Sequence, residues 1–476
     1  MLNKQYDVII IGAGPAGIFT ALELTDREPA ARPLIVDLGR AIENRKCPMR
    51  ESGKCLGCDP CAIVHGWAGA GAFSDGKLSL SAEVGGHIAD YVSPGEAERL
   101  IAHADAIYMK FGAPDVVHGR SDTKVDELRY EASRHNIRLV PCPVRHMGTE
   151  RAGCVLGAMY DHLIHHTHTG FLERTAARDL LVEGGRIVGV TLEDSAGEVV
   201  RCEAPFVVAA PGRGGAAWLA RQAQGLGIKT RNNEVDIGVR VEVPNAIMDH
   251  LTRHLYEAKL VYYADTYENK VRTFCMNPGG VVSEEHYEGG IAVVNGHSYS
   301  DPKRRTENTN FAVLVSTRFT EPFNQPIEYG RYIAKLANML TGGPIMVQRL
   351  GDLLQGRRTD VTRLKKATTM PTLTTAVPGD LSFVIPSRHL TSIVEALRAF
   401  DKLAPGLYSR NTLLYGVEVK FYSSKVPVGN NFETDIQGLY AIGDGAGITR
   451  GLMQASCTGI AVARDILGSG GFPGLK

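Results

Sequence analysis

Apolar residues in the first forty positions form two short runs, and a segment with helical spacing separates them. The runs are Val8 to Ile11 and the stretch PLIV before Asp37, and the segment between them extends from Pro15 to about Thr25. Short continuous apolar runs are typical of parallel strands buried on both faces, and a helix between two of them makes a βαβ unit. The pattern therefore predicts an α/β fold with a doubly wound parallel sheet.

The pattern changes twice further along the chain. A hairpin with a Ser-Ala-Gly turn, GGRIVGVTLEDSAGEVVRCE, and the apolar strand FVVAAPG follow a helical region. Residues 236–425 contain polar and aromatic strand-like pieces that indicate a mostly antiparallel, mixed α+β lobe, and the α/β texture then returns. We therefore expect one Rossmann-like domain built from residues 1–235 and 426–476, with a substrate or cap domain, residues 236–425, inserted between them.

Charge and hydropathy narrow the choice of partners. Lysine plus arginine and aspartate plus glutamate both number 52, so neither nucleic acid nor an anionic membrane is expected as a partner. The apolar N-terminal run is broken by glycines and lacks the features of a secretory signal, and no segment has the roughly 18 apolar residues of a membrane span. We expect a cytoplasmic protein with a small-molecule substrate. No feature of the sequence indicates an oligomeric state.

Three glycines lie between the first strand and the first helix in the pattern G-x-G-x-x-G. Gly12, Gly14 and Gly17 allow a tight turn that brings a helix N-terminus against a pyrophosphate. Asp37 follows the second strand, where a carboxylate accepts hydrogen bonds from ribose hydroxyls. Together these features predict a dinucleotide site, and the alternative is a tight turn that binds nothing.

Several longer motifs carry a resemblance to a known family. VIIIGAGPAG, FVVAAPGRGG and GLYAIGDGAG resemble, in this order, the two-dinucleotide-binding-domain flavoproteins of the glutathione reductase superfamily. With CPMRESGKCLGCDPC, AGAGAFSDGKL, RHMGTE and YGVEVKFY, the chain is similar to poorly characterised bacterial FAD-dependent dehydrogenases that have a cysteine-rich N-terminal segment. The resemblance implies FAD as the cofactor and an oxidoreductase reaction, and it leaves the substrate open.

The same resemblance implies further FAD contacts. The late G-D motif, Asp444 and Gly445, corresponds to the part that holds the ribityl and phosphate groups. Gly71 lies in the stretch that wraps the pyrophosphate and ring, and Ala177 corresponds to the position beside the adenine, where the family often has a larger aliphatic residue. A helix that begins near Gly447 would direct its positive end at the flavin pyrimidine.

A second glycine fingerprint is missing from the middle of the chain. APGRGG imitates one, but it lacks the spacing and the downstream acid. We therefore expect no dedicated NAD(P)H domain. Electrons then pass through the substrate, a protein partner, oxygen, or an NAD(P)H that visits the flavin pocket transiently.

Four of the nine cysteines, Cys47, Cys55, Cys58 and Cys61, lie in one short stretch. Three are spaced as C-x2-C-x2-C and Pro48 follows the fourth, which favours an iron–sulfur cluster of the [4Fe-4S] type held by all four thiolates. Zinc on the same thiolates, a redox dithiol of Cys58 and Cys61, and four thiols that bind nothing are the alternatives.

Polar residues near the predicted flavin segments are candidates for catalysis. The four main candidates are Asp75, Lys77, His146 and Arg450. Weaker candidates for substrate contact are Asn277, Asn295, His297, Glu418 and Lys420. A half-buried strand is the favoured interpretation of YGVEVKFY, and a solvated helix face is the favoured interpretation of His162, His165 and His166.

These features predict a flavin enzyme that transfers a hydride between FAD and a small organic substrate, with a side-chain acid or base for the proton. A flavin monooxygenase is the second enzymatic interpretation. The non-enzymatic alternative is a redox carrier or sensor whose cysteines pass electrons to a protein partner.

Overall fold

The structure is a computed structural model that describes residues 6–49, 55–120, 122–287, 289–299, 301–323 and 325–469. In chain order, its strands are β1 Val8–Ile11, β2 Pro33–Val36, β3 Lys77–Ser79, β4 Val117–His118, β5 Arg138–Val140, β6 Val144–His146, β7 Gly170–Leu172, β8 Ala176–Glu183, β9 Arg186–Glu193, β10 Val199–Glu203, β11 Phe206–Ala209, β12 Val235–Pro244, β13 Lys259–Tyr263, β14 Lys270–Asn277, β15 Val281–Tyr287, β16 Ile291–His297, β17 Asn308–Thr317, β18 Met346–Arg349, β19 Val377–Pro378, β20 Leu413–Lys420 and β21 Leu439–Ala441.

The helices are α1 Pro15–Arg27, α2 Pro94–Lys110, α3 Thr123–Ser133, α4 Thr149–His166, α5 Ala216–Gly225, α6 Asn245–Leu255, α7 Pro326–Thr341, α8 Leu350–Leu353, α9 Val361–Leu364, α10 Ser387–Asp401 and α11 Leu452–Gly468. They and the strands fall into two compact units. The first unit contains the described residues of Met1–Asp115, Met147–Asn233 and Ser423–Lys476, and the second contains those of Val116–His146 and Glu234–Tyr422.

The first unit is built on a five-stranded parallel sheet in the order β21-β11-β1-β2-β7. All four residues of β1 are buried, as are all four of β2 and β11. Burial on both faces explains why these strands are continuous apolar runs in the sequence. The sheet confirms the predicted Rossmann-like fold class.

The strand order of this sheet reverses at β1. Strand β1 pairs with β2 on one side and with β11 on the other, and both pairings are parallel. In open α/β sheets, ligands bind beside the carboxyl ends of the strands at such a reversal. A ligand site is therefore expected beside the segments that follow β1, β2, β11 and β21.

Two helices of the first unit pack with almost no space between their backbones. A Cβ atom at Gly459 of α11 would lie 2.2 Å from the carbonyl oxygen of Ala16 in α1. On the same helix α1, Glu23 is buried and contacts Arg27, His103 and Arg464 at 2.6–2.7 Å. Burial works to raise the pKa of Glu23, but the hydrogen bonds from Arg464, Arg27 and His103 lower it. This carboxylate links three helices.

The second unit contains an eight-stranded sheet in the order β19-β18-β20-β12-β17-β14-β13-β5. It is antiparallel except for the pairing of β18 with β19, so the predicted mostly antiparallel lobe is confirmed. On one face, the valines and isoleucine of β12 belong to an apolar core that also includes residues of α7 and α10. On the other face, Asp236, Arg240 and Glu242 are fully buried.

One segment differs from the predicted domain organisation. Residues 116–146 contain β4, α3, β5 and β6 and group with the second unit, whereas the sequence pattern predicts that they belong to the first part of the FAD domain. The reason is a long-range strand pairing, because β5 joins the edge of the large sheet through β13. Such a pairing leaves no local mark in the sequence.

Candidate functional site

The glycine turn after β1 brings backbone atoms very close together. Gly12 has a φ of +106°, and a Cβ atom there would lie 2.1 Å from the carbonyl oxygen of Ala210. A Cβ atom at Gly17 would lie 2.1 Å from the carbonyl oxygen of Gly12. Both positions therefore need glycine for the fold itself.

Gly14 differs from its two neighbours in the motif. A Cβ atom at Gly14 would meet nothing within 4 Å in the described structure, so space is open beside it. Gly14 is also the N-cap of α1, and it provides no side-chain cap to the helix. An uncapped helix N-terminus beside open space is suited to an anionic group such as a pyrophosphate.

Asp37 ties the glycine turn to the segments around it. Its carboxylate accepts hydrogen bonds from the backbone N–H groups of Ala13 at 2.8 Å, Gly39 at 2.8 Å and Gly66 at 2.6 Å. The predicted ribose contact would add to these three bonds, since each carboxylate oxygen accepts more than one. That contact stays a prediction.

The late G-D motif forms a second backbone turn at the same sheet edge. A Cβ atom at Gly445 would lie 2.5 Å from the carbonyl oxygen of Gly212, which belongs to the APGRGG motif after β11. The side chain of Asp444 accepts a hydrogen bond from Thr449 Oγ1 at 2.7 Å. Burial raises the pKa of Asp444, and the Thr449 hydrogen bond and the charges of Arg213 and Arg450 limit the increase.

The last helix starts later than the sequence analysis expected. A 3-10 turn covers Asp444–Ala446, Gly447 follows with a φ of +73°, and α11 begins at Leu452. Gly451, the N-cap of α11, donates its N–H to both carboxylate oxygens of Asp444 at 3.3 Å. The predicted start near Gly447 was wrong because the chain makes a left-handed turn there before it enters the helix.

Gly71 lies between the two helices that begin at this edge. A Cβ atom there would lie 2.7 Å from Leu452 of α11 and 3.6 Å from Pro15 of α1. Ala177, the predicted neighbour of the adenine, lies on the half-buried strand β8 and pairs with Leu192 of β9. The structure thus brings Gly71 to the glycine turn, and the adenine contact of Ala177 stays a prediction.

Arg45 is a residue of this region that the sequence analysis missed. Its guanidinium donates to the carbonyl oxygens of Ala62, Ile63, Trp67 and Gly69. Burial lowers the pKa of Arg45 to about 10, although the nearby Asp37 and Cys61 act to raise it. No local pattern marks the residue, since its partners lie on a turn seventeen or more residues away.

Three of the four candidate catalytic residues lie in the first unit. Lys77 Nζ and the Asp75 carboxylate form an ion pair at 3.0 Å, and their side chains are 8% and 14% exposed. Arg450 donates its backbone N–H to the carbonyl oxygen of Gly85 at 2.7 Å. The pair is nearly enclosed, so its charges interact more strongly than those of a surface pair.

The fourth candidate, His146, lies in the second unit within a polar cluster. Its Nε2 atom is 3.2 Å from both the Tyr256 hydroxyl and the Ser298 hydroxyl. The Tyr256 hydroxyl donates to Ser298 Oγ at 3.0 Å, and the centre of the Tyr256 ring lies 4.6 Å from that of His146 and 5.1 Å from that of His118. Tyr256 has a φ of +58°, a conformation that tyrosine rarely adopts. Backbone strain of this kind concentrates at functional sites.

The weaker candidates of the second unit form a buried charge network. Glu418 receives two hydrogen bonds from Arg240, at 2.8 and 2.9 Å, and both side chains are 0% exposed. Lys420 lies 3.2 Å from Glu418 and 3.5 Å from Glu285, and Asn295 donates to Glu285 at 2.9 Å. Every residue of β20 is buried, so the half-buried interpretation of YGVEVKFY was wrong.

Two further candidates lie near this network. Asn277 donates to Asn310 Oδ1 at 3.2 Å, and Asn310 also accepts from Arg240 at 2.7 Å. His297 is the last residue of β16. Asn277 and Arg240 therefore share Asn310 Oδ1 as a hydrogen-bond acceptor.

The clustered cysteines and histidines do not form a metal centre among the residues that the structure describes. There, no three His, Cys, Asp or Glu side chains are grouped so that they could hold an ion. Cys58 is exposed, while Cys47, Cys55 and Cys61 are half-buried and all four are free thiols. Among the described residues, the donor arrangement therefore does not fit an iron–sulfur cluster or a four-thiolate zinc site.

Two family models match adjacent parts of the chain. Residues 81–233 match a model described as an FAD binding domain, and residues 234–421 match one described as an FAD-dependent protein, C-terminal domain-like. Both descriptions name FAD, and the two matches together span residues 81–421. The open space beside Gly14 at an uncapped helix N-terminus fits the pyrophosphate of this cofactor.

Other proteins similar to this chain carry varied names. An uncharacterised protein of Clostridium beijerinckii is 27% identical over 485 residues, with coverage of 96% of this chain and 80% of the relative. Among solved structures, the chain is similar to a variant of E. coli quinol fumarate reductase FrdA, with 14% identity, a TM-score of 0.45, and coverage of 100% of this chain and 72% of that chain. It is also similar to L-proline dehydrogenase from P. horikoshii, with 12% identity, a TM-score of 0.44, and coverage of 98% and 94%.

Within the residues that the structure describes, no helix combines the length and apolar character needed to cross a bilayer. The cytoplasmic location and the finer resemblance to dehydrogenases with a cysteine-rich segment stay predictions.

Proposed function

We propose that the enzyme transfers a hydride between N5 of FAD and a small organic substrate, with oxidation or reduction of a C–C or C–N bond. The observation that carries this proposal is the glycine turn at the reversal of the parallel sheet, with its open space beside Gly14. FAD, when bound, supplies the two-electron acceptor or donor. The chain supplies binding, orientation and the handling of the proton.

The first unit offers residues for two parts of the cofactor, the pyrophosphate and the ribityl chain. The turn at Gly12, Gly14 and Gly17 would hold the pyrophosphate through backbone N–H groups and the N-terminus of α1. Asp444, which already orders the start of α11, would hold the ribityl part. Each of these assignments follows from the position of the group at the carboxyl edge of the sheet.

Two groups are candidates for the acid or base that handles the proton in the hydride-transfer reaction. Lys77, held by Asp75 at 3.0 Å, would orient an anionic substrate or donate a proton from Nζ. In the second unit, His146 would hold a proton at Nε2, where the hydroxyls of Tyr256 and Ser298 lie 3.2 Å away and keep the ring oriented. Arg450 is the proposed contact for a substrate carboxylate.

Gly14→Ala tests the cofactor part of this proposal. The added methyl group enters open space, so the fold should tolerate it, but it would occupy volume that the pyrophosphate needs. We expect the wild-type protein to bind FAD with visible flavin absorbance and Gly14→Ala to bind it at least about tenfold more weakly, a change of roughly 1.4 kcal/mol. The measurement is a titration of the apoprotein with FAD, followed by the change in flavin fluorescence.

Gly225→Ala is the matched control, because a Cβ atom at Gly225 in α5 also meets nothing within 4 Å. It should leave the FAD dissociation constant unchanged. Equal FAD affinity in Gly14→Ala and Gly225→Ala would contradict the assigned pyrophosphate position.

The donor of electrons is a further part of the proposal. With no dedicated NAD(P)H domain expected, NAD(P)H is proposed only as a transient visitor to the flavin. Anaerobic mixing with NADPH or NADH should bleach the flavin absorbance slowly and without saturation at micromolar concentrations. Tight, saturable bleaching would instead indicate a built nicotinamide site.

A further inference from the structure

The segment from Cys61 to Gly69, here called the bracket segment, connects the cysteine-rich stretch to the glycine turn. Its Ala68 N–H donates to the carbonyl oxygen of Ala13 at 2.7 Å. A Cβ atom at Gly69 would lie 3.3 Å from Cα of Gly14, the glycine beside the open space. The bracket segment therefore forms one wall of the proposed FAD cradle.

Two buried charged residues, Asp37 and Arg45, bind the backbone of the bracket segment. Asp37 accepts the N–H of Gly66 at 2.6 Å. Arg45 donates to carbonyl oxygens at Ala62, Ile63, Trp67 and Gly69. Neither contact is made by a neighbour in sequence, so both fix the path of the segment through tertiary structure.

Arg45 uses its whole hydrogen-bonding capacity on this backbone. The guanidinium has five N–H donors, and the structure shows five hydrogen bonds: two each from Nη1 and Nη2 and one from Nε. Its Cζ atom also lies 4.8 Å from the ring centre of Phe73, at the end of the turn that contains Gly71. No donor is left over for a phosphate oxygen.

We propose that Arg45 is a positioning residue for FAD: it binds no part of the cofactor, and it sets the bracket segment so that Gly69 and Gly14 leave room for the pyrophosphate. This inference rests on the proposed FAD site and adds a residue to it. A buried guanidinium is suited to the role because its planar fork holds several carbonyls in fixed directions.

The test compares FAD affinity with stability in Arg45→Gln and Arg45→Lys. Loss of hydrogen bonds to a charged group should raise the FAD dissociation constant of Arg45→Gln about tenfold or more. Lysine keeps the charge but has three donors on one nitrogen, so Arg45→Lys should recover little of the affinity. Full recovery by lysine would show that charge alone is needed and would overturn the proposal.

Arg464→Gln is the matched control for a merely structural role. Arg464 also lies in the first unit and donates to the buried Glu23 at 2.7 Å. Its loss should lower the melting temperature of the apoprotein while FAD affinity stays within about twofold of wild type. If Arg45→Gln and Arg464→Gln change FAD affinity equally, Arg45 has no positioning role.

Hydrogen–deuterium exchange of the wild-type protein covers the case in which Arg45→Gln does not fold. FAD should slow exchange in the bracket segment, and helix α10 of the second unit serves as the reference. If the wild-type protein binds FAD but exchange in the bracket segment is not slowed relative to α10, the proposal for Arg45 is overturned. Absence of FAD binding by the wild type would instead contradict the proposed function, so the two failures are distinguishable.

Discussion

The carboxyl edge of the parallel sheet and the polar face of the antiparallel sheet present different chemical groups. At the edge in the first unit, glycines bring backbone atoms together, and Asp37 and Arg45 bind to backbone groups. On the polar face in the second unit, Arg240, Glu418 and Lys420 bind mainly to other side chains. The first arrangement suits recognition of a common cofactor through the main chain, and the second suits a site whose specificity side chains determine.

The difference also predicts how each region fails. A backbone site is damaged by added volume, whereas a buried charge network is damaged by loss of one partner.

The two tryptophans, Trp67 and Trp218, both lie in the first unit. Their fluorescence therefore reports unfolding of that unit, while far-UV circular dichroism reports unfolding of both units.

The largest expected effect is that of Glu418→Gln. Arg240 would remain fully buried, but its partner would be a neutral amide instead of a carboxylate. This change should lower the free energy of unfolding by about 3–5 kcal/mol. In urea, the dichroism transition should move to lower concentration than the tryptophan fluorescence transition. Glu328→Gln, at an exposed glutamate of α7, should cost less than about 1 kcal/mol, and equal losses in the two variants would contradict the importance of the network.

Gly12→Ala should produce the corresponding loss in the first unit. A left-handed backbone costs alanine about 1–2 kcal/mol, and the overlap with the Ala210 carbonyl adds about 1–3 kcal/mol. The tryptophan fluorescence transition should therefore shift to lower urea concentration. An unchanged transition would show that the turn relaxes without cost.

Acid should destabilise the second unit first, through His389. Burial, and secondly the charge of Arg388, lowers the pKa of His389 to about 4. The unfolded chain, with an ordinary pKa near 6.5, then binds more protons than the folded one, so stability falls by about 3 kcal/mol as pH drops from about 6.5 to 4. His389→Gln should remove this slope from dichroism-monitored unfolding, and an unaltered slope would assign it to other groups.

The smallest expected effect is that of Glu23→Gln in the first unit. The partners Arg27, His103 and Arg464 are partly exposed and regain water, so the loss should be about 1–2 kcal/mol. Because the pKa of Glu23 is lowered, its contribution is complete above about pH 4.3 and declines as pH falls through the lowered pKa. Wild type and variant should thus converge in strong acid when followed by tryptophan fluorescence.

The backbone site was largely predictable from the sequence, and the charge network was not. A positive φ or a close backbone approach at Gly12 requires one residue type, so the requirement is visible locally. Glu418 and Lys420 alternate with valines as they would on a half-buried strand, and only the structure, in which β20 pairs with β12, shows that both faces are buried. Arg240 was missed for the same reason.

One wrong prediction and one unsupported prediction have equally physical causes. The late start of α11 depends on a left-handed Gly447, and a glycine alone does not distinguish a helix start from a turn before it. The cysteine spacing resembles that of a ferredoxin, but spacing fixes neither the direction of the thiols nor the path of the loop, and at the end of this stretch Arg45 binds the backbone.

The edge strand β21 has a consequence for how the protein is made. It pairs with β11, yet the continuous part of the second unit, residues 234–422, lies between them in the chain. A ribosome therefore completes that whole stretch while the free edge of β11 waits for its neighbour. The nascent chain therefore carries an open sheet edge while all the residues between β11 and β21 are synthesised.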